Sequence, residues 1–365
     1  MICIVSSSHF PDDERIYQRQ IKSLVRNNRK VLYLTRSEST INLSTKLILH
    51  KNFNVSLSIF LSKVKKIIKI NKSLEYLQVH ETNLLPLIKF MKRYEKSLNT
   101  IYDVHEDMES LYRTFSKRNF LIKEVAIFFR KVREDHYLKY VDSIILANPT
   151  IDKDAYKNKR NEKVVIENFP GKKFISTASN KFNTDPMIIY HGHLAPERGI
   201  TDLILAMKEV IEKVPQAKLT LLGSFRIAEY KKEVKSLISI HSLEKNIIIK
   251  KQIPHEEVWK VLSSSSIGVI PFRENLLTIK NTPTKLFEMM ASGLAIVATD
   301  LPPIRNFIDD TVFWAKPSSP RSLALNILES INNEDANSKI KKNLKMINKK
   351  YNWEKIENRY LSIFS

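Results

Sequence analysis

Short apolar runs alternate with helix-period segments along the chain, and this alternation restricts the fold more than any other feature. A short apolar strand followed by an amphipathic helix is typical of a βαβ unit, and repeated βαβ units build parallel sheets. The sequence therefore predicts an α/β protein, with helices such as Glu14–Asn27, Ile200–Lys213 and Pro283–Ala291. Strands are predicted near residues 2–6, 30–35, 75–79, 100–104, 143–147, 163–167, 187–191, 217–222, 246–249, 266–270, 295–299 and 311–314.

The alternation is interrupted once, over Phe169–Pro186, which is rich in Pro, Gly, Ser, Asn and Thr and has little apolar pattern. Such composition is typical of a linker. The 365 residues also exceed what one hydrophobic core usually organises. We therefore predict an N-terminal domain over residues 1–170, a linker over 171–185 and a C-terminal domain over 186–351.

Glycine is distributed unevenly, because all six glycines lie at or beyond Gly171. The first strand ends in Ser6-Ser7-Ser8-His9, so the glycine-rich turn of a dinucleotide site is missing there. Four glycines fall at predicted strand–helix junctions, where backbone must turn tightly or approach a ligand: Gly192, Gly199, Gly223 and Gly293. If the chain binds a nucleotide, the second domain is expected to bind it.

A formal net charge of +21 favours an anionic partner, such as nucleic acid, anionic lipid or a phosphorylated small molecule. The aromatic residues are not interleaved with basic clusters, as a stacking platform requires, so no nucleic-acid partner is expected. Between Lys46 and Ser73 stand seven lysines and no acidic residue, among apolar side chains. This run indicates either a helix for an anionic membrane surface or a solvated helix face.

The single cysteine, Cys3, excludes an internal disulfide framework and fits a reducing cytoplasm. No apolar run is long enough to span a bilayer, and the N-terminus lacks the basic leader of a signal peptide. We therefore expect a cytoplasmic protein that is peripheral on the inner face of the cell membrane.

The segment 281–293 is the strongest candidate for a ligand site. Thr282 is a good N-cap, Pro283 suits the first helical position and Gly293 ends the helix. Lys285 then falls in the first turn, where its charge opposes the positive end of the helix dipole. A bound diphosphate would reverse the sign of that interaction, because the lysine and the helix N–H groups would both face it.

Glu288 lies one turn beyond Lys285, on the same face as Thr284, and could accept hydrogen bonds from a ribose. Taken alone, this segment would equally fit an exposed lysine and a surface glutamate. A second cation favours the ligand site over the surface interpretation. Arg198 begins another predicted helix beside Gly199 and again indicates a phosphate.

Other residues follow strands of the same domain. His191 and His193 have a spacing that would suit a metal, but no third ligand is evident. Gly223 with Ser224, and the loop around Ile253, end two further strand units. Open α/β sheets bind ligands at such strand ends.

The first domain instead carries histidines at its strand ends. His-Glu pairs follow two apolar strands, and His9 follows the first. A lone histidine is usually structural, but three at equivalent strand ends favour a functional role. The residues concerned are His9, His80, Glu81, His105 and Glu106.

In the order and spacing of its motifs the chain resembles the retaining GT-B glycosyltransferases of family four. The resemblance is carried by His9–Arg15, His80-Glu81, Asp103–Glu106, Val165–Pro170, Gly192–Gly199, Pro283–Gly293 and Tyr351-Asn352-Trp353-Glu354. It implies two Rossmann-like, doubly wound parallel-sheet domains facing a central cleft, with the final helix, 352–365, crossing back onto the first domain. It also implies a hexosyltransferase-like enzyme that uses a nucleotide sugar and needs no cofactor or metal.

The resemblance also implies roles for single residues. Arg198 and Lys285 would bind the donor diphosphate, Glu288 the ribose, the backbone near Ile253 the base, and His105 the donor sugar. The predicted catalytic residues are His105, Glu106, Arg198 and Lys285. The predicted donor contacts are Gly192, His193, Arg198, Gly223, Ser224, Ile253, Lys280, Thr284, Lys285 and Glu288. The predicted acceptor-side residues are His9, Asp13, Arg15, His80 and Glu81, and no metal ligand is predicted.

Two positions depart from the family pattern. Lys280 stands where the family usually has a glutamate that touches the donor sugar, and His193 replaces the usual arginine of the first loop. The lysine could indicate an acidic donor sugar. Equally, Glu274 or a neighbour could have taken the role of the glutamate, or the loop could be rearranged.

The predicted function is sugar transfer to a saccharide or lipid-linked saccharide in the synthesis of bacterial envelope polysaccharide, such as lipopolysaccharide or capsule. We expect docking on the membrane through Lys46–Ser73, with Phe60, Leu61 and Ile67 inserting, and through the basic-apolar segment Lys117–Arg133. The alternatives are a sugar-nucleotide epimerase of the same fold, a non-catalytic basic binding protein and an inactive transferase-like subunit.

Overall fold

The computed structural model describes residues 1–105, 108–116, 118–149, 156, 161–176, 185–332 and 334–365. These residues divide into two compact units. The first unit is Met1–Asn168 with Ile356–Ser365, and the second is Phe169–Lys355.

The first unit is built on a seven-stranded, entirely parallel sheet. Its strands are β1 (Ile2–Ser6), β2 (Val31–Thr35), β3 (Ile48–Asn52), β4 (Tyr76–Val79), β5 (Asn99–Val104), β6 (Ser143–Leu146) and β7 (Glu162–Val165). Their order is β3-β2-β1-β4-β5-β6-β7. The order reverses between β1 and β4, where Ile2 lies opposite Tyr76, and open α/β sheets bind ligands at such a switch point.

Helices connect these strands and cover the sheet. A π-helix, Glu14–Ile21, leads into α1 (Lys22–Arg26), and the others are α2 (Leu57–Ile70), α3 (Leu85–Tyr94), α4 (Met108–Phe115) and α5 (Phe120–Leu138). Apolar faces of α2 and α3 pack on β1, β2, β4 and β5 to form one continuous core. Burial of these faces is the main stabilising term for a layered fold of this kind.

The second unit has a six-stranded sheet, also entirely parallel. Its strands are β8 (Met187–His191), β9 (Lys218–Leu222), β10 (Ile247–Lys250), β11 (Ile267–Ile270), β12 (Ala295–Thr299) and β13 (Phe313–Ala315). The order β10-β9-β8-β11-β12-β13 reverses between β8 and β11. The helices are α6 (Ile200–Lys213), α7 (Ala228–Ile240), α8 (His255–Ser263), α9 (Thr284–Ala291), α10 (Pro302–Arg305), α11 (Pro320–Asn332) and α12 (Glu334–Lys349). A last helix, α13 (Trp353–Leu361), continues into the final residues of the first unit.

The predicted α/β class and all the predicted strands are confirmed, but one strand was missed. β3 lies inside the basic run that was predicted as an amphipathic helix. Its alternating burial, with His50 buried and Lys51 exposed, marks a half-covered strand at the sheet edge, and five residues were too few to stand out. Helix α9 also starts one residue later than predicted, because Pro283 is extended and precedes the helix.

The last residues of the chain complete the core of the first unit. Tyr360 is fully buried, and its hydroxyl donates a hydrogen bond to Gln78 Oε1 at 3.0 Å. Phe364 packs edge-on against Tyr76, with ring centroids 5.2 Å apart. The end of the chain therefore supports the strand that precedes His80.

Replacing Tyr360 by Phe tests this support. We expect the free energy of unfolding to fall by about 1–3 kcal/mol, because Gln78 Oε1 loses its donor inside the protein. Urea unfolding followed by circular dichroism measures the change. The control is Asn358→Ala, an exposed position on the same helix, which should stay within about 0.5 kcal/mol of the parent. Equal midpoints for the Tyr360→Phe protein and the parent would contradict the role of the hydroxyl.

Candidate functional site

Polar side chains collect at the switch point of the first sheet, where β1, β4 and β5 end. Asp103, at the end of β5, is fully buried and accepts hydrogen bonds from Arg15 Nε at 3.1 Å and Arg15 Nη2 at 2.8 Å. Gln20 Nε2 donates a third bond to Asp103, at 2.6 Å, and Arg15 Nη1 donates to the carbonyl of Ile166 at 2.7 Å. Burial alone would raise the pKa of Asp103, but Arg15, helped by His105 and His80, holds it well below its usual range.

Arg15 was predicted on the acceptor side, yet its side chain is 2% exposed and all three of its guanidinium nitrogens donate to protein oxygens. It is therefore a positioning residue that fixes the strand ends. His80 is also buried, so these two residues can act on a substrate only through others.

A chain of hydrogen bonds sets the tautomers of two histidines. Gln78 accepts from Tyr360 through Oε1, so its Nε2 donates, to Gln20 Oε1 at 2.9 Å and to His80 Nε2 at 3.1 Å. His80 therefore carries its proton on Nδ1 and donates it to His105 Nε2 at 2.9 Å. Burial lowers the pKa of His80 to about 4 and that of His105 well below its usual range, so both rings are neutral near pH 7.

This chain leaves His105 with its proton on Nδ1. Its side chain is 18% exposed, so the imidazole is the solvent-facing end of an otherwise buried series. His105 directly follows β5, at a strand end as predicted, and its catalytic role stays a prediction. Glu106, predicted as its catalytic neighbour, lies outside the described residues.

His9 and Glu81 form an ion pair beside this series. Glu81 accepts from His9 Nδ1 at 2.9 Å, from Ser6 Oγ and from the backbone N–H groups of Ser7 and Ser8. Burial opposes its ionisation, but these donors, led by His9, lower the pKa of Glu81 to about 2. Burial likewise disfavours a charged His9, yet Glu81 outweighs it and raises the pKa of His9.

The ring centroids of His9 and His105 lie 4.6 Å apart, so these two predicted residues lie side by side at the strand ends of the first sheet. Asp13 contributes differently, because its carboxylate accepts from the N–H groups of Arg15 and Ile16 and caps the π-helix. Ligand atoms of His80, Asp103 and His105 lie within 4.8 Å of one another, as a metal site requires. Arg15 and Gln20 already use the Asp103 oxygens, so this group is arranged as a hydrogen-bond network.

In the second unit, two cations meet at the switch point between β8 and β11. Lys285, in the first turn of α9, is 8% exposed and donates to the Tyr190 hydroxyl at 3.1 Å. Its ammonium group lies 4.8 Å from the centroid of Phe272, and the Arg198 guanidinium lies 4.6 Å from the same ring. Burial, and then the nearby charge of Arg198, lower the pKa of Lys285 well below 10.5. The alternative of an exposed surface lysine is therefore wrong.

Two glycines make room for these cations. At Gly192 (φ +110°) a Cβ would lie 3.0 Å from the Lys285 ammonium nitrogen, closer than an ordinary contact, and the positive φ itself disfavours any other residue. At Gly199 (φ +66°) a Cβ would lie 1.8 Å from the carbonyl oxygen of Pro271, and this tight turn places Arg198 at the entry to α6.

Glu288 is 7% exposed and is held between two histidines. His255 Nε2 lies 3.1 Å from Oε1, and His191 Nε2 lies 3.4 Å from Oε2. Trp259 Nε1 donates to His255 Nδ1 at 3.3 Å, so His255 carries its proton on Nε2 and donates it to Glu288. Burial lowers the pKa of His191 to about 4. Glu288 is thus an oriented buried acceptor rather than a surface glutamate.

Trp259 also stacks on Phe174, with ring centroids 4.4 Å apart and an angle of 4° between the planes. His255, Trp259 and Phe174 were not among the predicted site residues. A possible signal was the start of α8 directly after the loop that contains Ile253, since His255 and Trp259 lie one turn apart on that helix.

The remaining predicted donor contacts lie in loops that follow strands of the second sheet, or close to them in the sequence. His193 is exposed, with Nδ1 3.4 Å from Ser224 Oγ. It is therefore not paired with His191 as a metal site would require. Ile253 and Lys280 are half-buried, Gly223 is buried and Thr284 is exposed.

Several solved structures resemble this chain over its whole length. Sucrose-phosphate synthase from Thermosynechococcus elongatus is 17% identical, with a TM-score of 0.76 over 100% of this chain and 98% of that one. HepE from Anabaena, solved with UDP and glucose, is 14% identical, with a TM-score of 0.76 over 100% and 99%. WaaG, a glycosyltransferase involved in lipopolysaccharide biosynthesis, is 11% identical, with a TM-score of 0.72 over 100% and 99%.

The chain has the GT-B fold. Residues 171–351, almost all of the second unit, match the family described as glycosyl transferases group 1. Two uncharacterized glycosyltransferases of Methanocaldococcus jannaschii are 23% identical over 183 residues and 25% identical over 177 residues. These alignments cover 49% and 45% of this chain but only 45% and 41% of the relatives, so the chain spans less than half of their length.

The buried ion pair of the first unit gives a test by mutation and pH. Asp103→Asn should lower the free energy of unfolding by about 3–5 kcal/mol, because Arg15 is left buried without its partner. In the folded state the pKa of Asp103 is lowered, so its stabilisation is complete above the unfolded pKa of about 4 and is lost as pH falls below it. Unfolding measured from neutral to acid pH should therefore show a shallower acid loss in the variant.

The control is Asp300→Asn, which breaks an exposed pair with Arg305 and should cost about 0–1 kcal/mol. A loss for Asp103→Asn no larger than for this control would show that the buried pair is not a main support of the first unit.

Proposed function

We propose that this protein transfers a sugar from a nucleotide-sugar donor to a saccharide or lipid-linked saccharide acceptor. The observation that carries the proposal is the pair of cations, Lys285 and Arg198, placed against one phenylalanine ring at the switch point of the second sheet. The family match of residues 171–351 and the UDP bound by HepE support a nucleoside diphosphate as the ligand here.

Electrostatics explains why such a pair favours a diphosphate. A buried ammonium group loses hydration, and a second cation nearby adds repulsion, which is why the pKa of Lys285 is lowered. A dianionic diphosphate would remove both costs and would also accept from the free N–H groups at the start of α9. Glu288, oriented by His255, is then the proposed acceptor for the ribose hydroxyls.

The proposed transfer breaks one bond at the anomeric carbon and forms another. The bond between the anomeric carbon and the phosphate oxygen breaks, and the electron pair leaves with the nucleoside diphosphate. Lys285 and Arg198 stabilise the charge that develops on this leaving group. The acceptor hydroxyl forms the new carbon–oxygen bond and gives its proton to the departing phosphate or to solvent. From the first unit, His105 and His9 are the proposed contacts for the transferred sugar and the acceptor.

Three finer features belong to the same proposal. The resemblance to family four supports net retention at the anomeric carbon and catalysis without a metal ion. Lys280 supports an acidic donor sugar. A role in envelope polysaccharide synthesis is supported by the fold shared with WaaG. Analysis of product anomers, activity with and without EDTA, and a panel of neutral and acidic sugar nucleotides test these three features.

Nucleoside diphosphate binding tests the donor site. Arg198→Ala and Lys285→Ala should each weaken UDP binding by about 10- to 100-fold, the value of one charged hydrogen bond. Affinity should also fall as pH rises through the pKa of Lys285, because the deprotonated amine no longer attracts phosphate, and Lys285→Ala should remove this slope.

Isothermal titration calorimetry measures both effects, and Lys245→Ala, an exposed lysine of the same unit, is the control. Unchanged affinity in both alanine variants would refute the placement of the diphosphate.

His105→Ala tests the catalytic step separately. Transfer should slow by about 100- to 1000-fold, as when one preorganised donor to a reacting group is removed, while UDP affinity stays that of the parent. The assay follows sugar nucleotide consumption and product formation with a lipid extract as acceptor, and His241→Ala is the control. An epimerised sugar nucleotide without any transfer product would instead identify a sugar-nucleotide epimerase.

A further inference from the structure

Helix α5 carries the largest group of exposed apolar side chains among the described residues. Leu121 is 73% exposed, Phe129 64% and Phe128 61%. Further exposed members are Phe120, Ile122, Val125 and Val132 on α5, with Met108 and Phe115 on the preceding α4. Single exposed apolar residues are ordinary, but a contiguous group marks an interaction surface.

The spacing shows that this group forms one stripe. Leu121, Val125, Phe128 and Val132 recur at i, i+4, i+7 and i+11, which places them on one side of the helix. The opposite side carries Ile127, which is 5% exposed and buried against the rest of the unit. Helix α5 therefore has two apolar faces, of which the fold covers only one.

The charges on and beside α5 have a positive excess. Between residues 118 and 138 there are five basic side chains and three acidic ones. Glu124 is bridged by Arg113, and Glu134 is half-buried and accepts a hydrogen bond from the Tyr156 hydroxyl. Asp135 is exposed, but Arg118, Arg130 and Arg133 are exposed too, so the surface around the apolar stripe keeps a net positive charge.

The other basic segment of this unit is built differently. In α2, Phe60, Val64 and Ile68 are buried in the core, and the lysines Lys63, Lys66 and Lys69 face solvent. The expectation that Phe60 inserts into a membrane is therefore wrong, because its side chain is 0% exposed. Leu61 and Ile67 are likewise packed against the core. Helix α2 offers charge without an apolar stripe.

We infer that the stripe of α5, defined as Leu121, Val125, Phe128, Phe129 and Val132, docks on an anionic membrane surface and lies parallel to it. The apolar side chains would enter the boundary between head groups and acyl chains, and the flanking arginines would meet lipid phosphates. None of the helices among the described residues is long and apolar enough to cross a bilayer, so the contact is made from one side of the membrane.

A second copy of the chain is the main competing occupant, and charge argues against it. Two copies would bring their arginine-flanked stripes together with Asp135 as the only exposed carboxylate of α5, and each chain carries +21. Like charges facing each other across an interface are unfavourable, whereas an anionic lipid surface complements both the charge and the apolar stripe.

Docking by α5 does not depend on the transfer activity. Its only link to the proposed function is that α4 and α5 come directly after β5 and His105 in the sequence. A lipid-linked acceptor held at the membrane would then be presented to the unit that carries His9 and His105.

Vesicle co-sedimentation of the whole protein tests the inference. Vesicles of phosphatidylcholine alone are compared with an equimolar mixture of phosphatidylcholine and phosphatidylglycerol, at low and high NaCl. We expect binding to the anionic vesicles only, weakened by salt. The double variant Phe128→Ser, Phe129→Ser should reduce that binding by at least about tenfold, because two large apolar groups no longer enter the lipid.

The matched control is Ile240→Ser with Leu325→Ser, two equally exposed apolar residues of the second unit, which should leave binding unchanged. Thermal unfolding and UDP affinity of both double variants should match the parent, since all four side chains face solvent. UDP affinity thereby separates failure of docking from failure of the proposed function.

Three results would overturn the inference. The first is equal binding to neutral and anionic vesicles, or none to either. The second is loss of binding on replacing Lys63, Lys66 and Lys69 by Gln while the phenylalanine variant still binds, which would place the contact on α2. The third is a dimer, seen by light scattering, that becomes monomeric in the phenylalanine variant, which would make a second copy the occupant.

Discussion

The first unit depends on one buried ion pair, between Arg15 and Asp103. It joins the helix after β1, the end of β5 and, through the carbonyl of Ile166, the segment that follows β7. Such a pair contributes little net stability compared with an apolar contact, but it is unfavourable to leave half of it unpaired. The geometry of the neighbouring histidines follows from it, because His80 and His105 both lie within 4 Å of the same carboxylate.

The second unit differs from the first because it places two positive side chains close together. Lys285 and Arg198 are brought together by two helix starts and by Gly192 and Gly199, whose positive φ angles disfavour other residues. The protein tolerates this arrangement because aromatic rings and the Tyr190 hydroxyl partly satisfy the cations. The first unit thus holds a polar network whose charges are paired, and the second unit holds two cations that favour an anionic ligand. The proposed transfer uses both kinds of site.

Much of this was predictable from sequence, and the failures have physical reasons. Strand positions followed from apolar runs that are buried on both faces, and Lys285 and Arg198 were found because each opens a helix beside glycine or proline. The burial of Arg15 was not predictable, since its partner lies 88 positions away. His255 and Trp259 were missed because their roles depend on Glu288 and on Phe174, contacts that no local spacing reveals. The inward rotation of Phe60 was missed because a mixed basic-apolar run does not show which side of its helix faces the core.

The link from Tyr360 to the histidine chain has a consequence for biosynthesis. Tyr360 lies 282 residues beyond its partner Gln78, so the first unit is assembled from segments that precede and follow the second unit. Domains usually fold in the order in which they leave the ribosome. Here the unit that emerges first cannot fix the tautomers of His80 and His105 until the whole second unit has been translated. In the nascent chain the second unit would therefore be complete before the imidazole pair of the first unit acquires its tautomers.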